Sequence, residues 1–130
     1  MNAARVLLEE ALRLLRLTED APLSERIDAA GMAALAQKRA EIRLGGATGD
    51  WASLRPELGA LLGVPASASP DFAAWIAALH ARLRGSHPLA FAVAALRLDG
   101  LDDALIAARL DLGPRLVRRI RLDFAEAPCS

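Results

Sequence analysis

"IAARLDLGPRLVRRI", from Ile106 to Ile120, places two apolar strings on either side of Asp111-Leu112-Gly113-Pro114. Ile106, Ala107 and Leu110 have the spacing of one helix, and Leu116, Val117 and Ile120 that of another. Proline suits the first position of a helix and Gly113 precedes it, so the second helix starts at Pro114. Asp111 stands where the chain has to turn, and aspartate enters the left-handed backbone region at modest cost. Ala107 is small enough to let the second helix cross closely. Leu110 and Leu112 flank the turn and seal it, while Val117 has the offset of a buried residue.

At about 100° per residue, Leu116, Val117, Ile120 and Phe124 gather on one face of the last helix. Arg115, Arg118 and Arg119 fall opposite, with Arg121 at the edge, and no acid lies between 115 and 122. The guanidinium matches both phosphate and the O6/N7 edge of guanine. A helix with a docked apolar face and a free cationic face is built to enter a major groove.

The preceding residues extend the pattern. Ser69-Pro70-Asp71 reads as a helix start, with Phe72, Trp75, Ile76, Leu79 and Leu83 on an apolar stripe that ends at Gly85. Ser86-His87-Pro88 starts a helix to Leu98, Asp99-Gly100 turns the chain, and Asp102 caps a short helix to Leu110. On Leu98, Gly100, Leu101, Ile106, Ala107, Leu110, Leu112 and Val117 the segment resembles the helix-turn-helix of the fourth conserved region of bacterial sigma factors, shared by many response-regulator DNA-binding domains. The resemblance covers roughly residues 70–124. It implies a bacterial transcription regulator whose last helix reads promoter DNA through Arg115, Arg118, Arg119 and Arg121, with contact to RNA polymerase or another regulator. Leu105 stands where that family often has Glu, and Gly113 and Leu116 where it often has Ser or Thr. The last helix carries no Asn, Gln, Ser or Thr, so direct adenine readout is poorly supplied.

Upstream, residues 3–17 form an amphipathic helix on Val6, Leu8, Ala11, Leu12, Leu14 and Leu15. Ser24 is placed to cap a second helix to Leu44, with Leu23 as its staple, and "GGATGD" ends it. A short helix runs from Asp50 or Ser53 to Leu62, and Pro56 favours the later start because proline fits a first turn. The expected architecture is all-α: a helical hairpin over 1–49, a short helix and linker over 50–69, a four-helix unit over 70–124, and a tail over 125–130. "GVPASASP" marks the boundary, so residues 68–130 are expected to fold alone. The hairpin has too many apolar positions for a linker: it either packs on the C-terminal helices or, where its stripes exceed what that unit needs to cover, makes a partner surface for RNA polymerase or another DNA-bound protein.

Composition fits this class and bounds the function. The chain is 54% hydrophobic and 4% aromatic, without tyrosine, which favours helices and permits a core. Formal net charge is zero, so long-range attraction to nucleic acid is weak and any basic face is local. Lys38 is the only lysine, which reads as GC-rich codon usage, so arginine enrichment alone says little about nucleic acid. The one cysteine, Cys129, forms no internal disulfide and suits a reducing cytoplasm. The N-terminus has no signal-peptide pattern, and no apolar run reaches the roughly 18 residues of a membrane span.

Catalytic signals are weak throughout. His80 and His87 have no metal-ligand spacing, and no cofactor motif is present. Glu9-Glu10 reads as a solvated face and Asp102-Asp103 as a helix start. Trp75 belongs to the core, Trp51 is open between core and surface, and His80 is a partly buried polar residue. Leu122 points toward the arginine face. The expected function is DNA-binding transcription regulation rather than catalysis, with double-stranded DNA as partner and room for a homodimer. The alternative is a helical adaptor or phage-type assembly subunit whose helix-turn-helix is purely structural.

Overall fold

The computed structural model describes residues 2–17, 28–64, 66 and 69–125. Among these residues the protein is all-α, with helices α1 (Ala3–Leu17), α2 (Ala29–Leu44), α3 (Trp51–Leu62), α4 (Phe72–Gly85), α5 (Ala90–Leu98), α6 (Asp103–Leu110) and α7 (Pro114–Ala125).

Four helix starts use one device. Asp28, Asp50, Asp71 and Asp102 are extended, and each side chain accepts a hydrogen bond from the third backbone N–H that follows. The donors are Gly31, Ser53, Ala74 and Leu105, at 2.7, 3.0, 2.8 and 2.9 Å. Each cap satisfies an otherwise orphaned donor and is worth about 1 kcal/mol. Aspartate therefore overrides several expected boundaries. The helix reaching Leu44 begins after Asp28, while Ser24 and Leu23 lie outside the described residues. Asp71, not Ser69, caps α4. Helix α3 begins at Trp51, which puts Pro56 in its second turn rather than its first. Pro56 and Ala52 are both exposed, so the Ala52 carbonyl that Pro56 cannot serve lies on a solvated face. Helix α5 begins at Ala90, after a turn in which His87 accepts the Leu89 N–H at Nδ1 (3.0 Å) and the Ala90 N–H at its carbonyl (2.9 Å).

Helix α1 lies in the middle of the molecule. Between Ala4 and Leu15 only Arg13 is exposed. α1 packs on α2, α3 and α5, while α2 packs on α4, and α7 on α4, α5 and α6. One buried cluster runs from Ala4 to Phe124. It includes Val64 and Ala66, inside the stretch expected to be a linker, and the fully buried Trp75. The division into a hairpin over 1–49, a linker over 50–69 and a separate unit over 70–124 is thus not a division of the packing. Leu8, Leu12 and Leu15 are buried rather than left for a partner. Their stripe is covered because the short helices behind it enclose too little apolar volume alone, and α1 supplies the missing side chains.

The reading of Glu9-Glu10 as a solvated face is also corrected. Glu10 is only 2% exposed and accepts hydrogen bonds from Arg39 Nε at 3.0 Å and Arg43 Nη1 at 3.3 Å, with Arg13 Nη1 at 3.6 Å. Glu9 pairs with Arg43 Nη2 at 2.9 Å and with Arg5 Nε at 3.3 Å. Burial pushes the Glu10 carboxyl upward, but Arg39, Arg13 and Arg43 together hold it below its ordinary value. Arg39 and Arg43 come from α2, about thirty residues along the chain, so no local pattern announces them.

Two outcomes follow from this packing. Without residues 1–67, the fragment 68–130 should lose its cooperative melt in circular dichroism, because α1 and α2 complete its core. In the full chain, Arg39→Met with Arg43→Met strands a buried carboxylate and should lower the melting temperature more than Glu10→Gln does. The latter leaves only guanidiniums that water can reach, whereas an uncompensated buried charge costs up to about 3–5 kcal/mol. Equal shifts for the two variants would contradict the reading of Glu10 as the buried partner.

Candidate nucleic-acid interface

The candidate interface is the outer face of α7, and its position is set by the turn that precedes it. Helix α6 buries Ile106 and Ala107 and ends at Asp111, whose backbone is left-handed at φ 56°, ψ 49°. Asp111 is the one non-glycine residue with positive φ among those described. The N–H groups of Asp111 and Leu112 both reach the Ala107 carbonyl, which closes the end of α6 and reverses the chain. Leu110 and Leu112 pack partly buried against the core. Pro114 then opens α7, and the Val117 N–H returns to the Gly113 carbonyl at 3.1 Å.

Val117, Ile120 and Phe124 are fully or almost fully buried and dock α7 on its neighbours. Two polar contacts fix it further. Arg121 Nε and Nη2 each donate to a different Asp103 carboxylate oxygen at 3.0 Å, clamping α7 to the first turn of α6. Arg82 Nη1 donates to the Ala125 carbonyl at 3.1 Å, which ties the last residue of α7 to α4. Hydrogen bonding from Arg121 holds the Asp103 carboxyl below its ordinary range, aided by the charges of Arg121, Arg97 and Arg118 against the opposing effect of burial.

Arg115, Arg118 and Arg119 are exposed. None makes a hydrogen bond or ion pair within the described residues, and with Leu122 and Asp123 they surround one shallow depression. Three of the four expected contact residues therefore share an open face. Arg121 does not join them. It is spent on Asp103, and its sequence position at the edge of the arginine face is the reason it can reach across to α6. Leu116 departs as well: expected on the buried face with Val117, it is 37% exposed, because the docked arc centres on Val117, Ile120 and Phe124 and leaves Leu116 at its margin. Leu105 on α6 is exposed too.

Elsewhere, His80 is half-buried with its ring edge-on to Phe91, and burial followed by the Arg84 charge pushes its pKa down. The Trp51 indole N–H donates to the Ser69 carbonyl at 2.8 Å and its ring packs near Phe72, so it belongs to the scaffold. Among the described residues no cluster of His, Cys, Asp and Glu has the arrangement of a metal site. No helix there is long and apolar enough to cross a membrane. Cys129 lies outside the described residues. The chain matched no family model, no curated protein and no solved structure.

Because the Asp103 carboxyl is held low in the folded state, its contribution to stability is complete above the ordinary value of 3.8 and is lost as pH falls through the depressed one. Asp103→Asn should therefore lower the melting temperature at neutral pH and flatten its decline on acidification relative to the parent chain. Arg121→Lys should recover little of the bidentate contact. Melts recorded from neutral pH to below the carboxylate range test this, and an unchanged acid limb in Asp103→Asn would remove the clamp from the account.

Proposed function

We propose that the chain is a DNA-binding transcription regulator that lays α7 in the major groove. The carrying observation is the split across α7. Val117, Ile120 and Phe124 dock the helix, while Arg115, Arg118 and Arg119 project from a single face with no internal acid paired to them among the described residues. A docked helix that presents guanidiniums outward has the shape and charge to meet phosphates and base edges. The resemblance of residues 70–124 to sigma-type and response-regulator DNA-binding units supports the same reading.

Zero net charge supports a tethered mode of action. A weak overall field brings the chain to DNA slowly, and association with RNA polymerase or another DNA-bound protein raises the effective concentration instead. The buried stripe of α1 is not available for that contact. A second reading, a helical adaptor, is favoured by Ile42 at 76% and Leu35 at 41% exposure, seven residues apart on the outer side of α2.

Replacing Arg118 and Arg119 together with Ala should leave the melting temperature nearly unchanged, as exposed positions do. Affinity for duplex DNA should drop. The log–log salt dependence should become shallower by about one to two units, according to whether one or both contact phosphate. An unchanged slope with unchanged affinity would favour the adaptor reading.

A further inference from the structure

We propose that α7 is selective for G·C pairs, with Arg115 and Arg119 donating to guanine O6 and N7 and Asp123 accepting from the cytosine N4 amino group. This rests on the DNA-binding reading above and deepens it. The donor inventory carries the inference. Apart from Asp123, every polar side chain of α7 is a guanidinium, which donates and cannot accept. Guanine offers two adjacent acceptors in the major groove and so satisfies a guanidinium fork. Adenine sets an N6 amino donor beside its single acceptor, leaving one arm of the fork against another donor. An arginine-only face therefore discriminates against adenine, not merely in favour of charge.

The placement agrees with the chemistry. Arg115 and Arg119 lie one turn apart, a rise of about 6 Å, which for a helix along the groove spans roughly two base-pair steps. Arg118 sits on the flank where its charge acts on Asp103, beside the Arg121 clamp, and is left for the backbone phosphates. Asp123 borders the same depression as Arg115 and Arg119 and lies one turn beyond Arg119, so the single acceptor stands beside a donor on that face. Leu122, half-buried, lines the same depression and adds apolar surface to it, beside which hydrogen bonds to base edges compete less with water. The ties from Asp103 and from Arg82 hold the helix in place before binding, which lowers the ordering cost of a specific fit.

The test uses the full chain. Selection from a randomised DNA duplex pool should enrich sites carrying two guanines within two or three base pairs of each other. Fluorescence anisotropy on an enriched duplex should then show about tenfold weaker binding for each of these guanines replaced by 7-deazaguanine, which keeps base pairing and removes the N7 acceptor. Arg119→Lys, which retains the charge and loses the fork, should erase the distinction between guanine and 7-deazaguanine at one position. Salt-dependent binding without guanine enrichment, or with no effect of 7-deazaguanine, would overturn the readout while leaving DNA contact standing. Failure of the chain to retain any duplex would overturn both.

Discussion

Burial of α1 is the constraint on which the other helices depend. Its buried residues between Ala4 and Leu15, Glu10 among them, take up about two thirds of its circumference, so it needs partners on several sides at once. α2, α3 and α5 provide them. A short helix such as α5 has too little surface to hold a core with its chain neighbours alone, and α1, with Leu7, Leu8 and Leu15 fully buried, packs against it. The arc that apolar residues do not fill carries Glu9, Glu10 and Arg13, and there the arginines of α2 close over the carboxylates and bury Glu10.

Charge is used in two opposite ways on the two sides of this scaffold. Around Glu10, guanidiniums are consumed internally: the carboxylate is removed from water and needs several partners, so Arg39 and Arg43 are held in place. On α7 only Arg121 is consumed in that manner, and its bidentate contact with Asp103 orients the helix that carries the other three. A chain of zero net charge thus keeps a locally cationic face: Asp28, Asp50, Asp71 and Asp102 serve as helix caps, Glu9, Glu10 and Asp103 pair internally, and of the residues around the α7 depression only Asp123 is acidic. That local surplus, rather than the overall balance, is what a phosphate or a guanine edge would meet.

Much of this was legible in the residues alone. The all-α class followed from apolar spacing and from Gly and Pro punctuation, and the turn at Asp111 from the need for a left-handed residue between two short helices. The inward set Val117, Ile120 and Phe124 and the outward set Arg115, Arg118 and Arg119 are consequences of helical periodicity. Less legible are the start of α4, where Asp71 rather than Ser69 is the cap, and the place of Pro56, whose tolerance depends on the exposure of the Ala52 carbonyl.

What the sequence by itself determined was therefore each helix and the division of its faces, since both depend on neighbours within a turn or two. Tertiary structure alone decided how those faces were used. It turned a hairpin stripe that looked available for a partner into the central core, because coverage depends on where distant helices pack. It withdrew Glu10 from solvent and Arg121 from the open arginine face, since the partners lie 29 and 33 residues away for Glu10 and 18 away for Arg121. Helical periodicity states which way a side chain points. Only the packed chain states what it meets there.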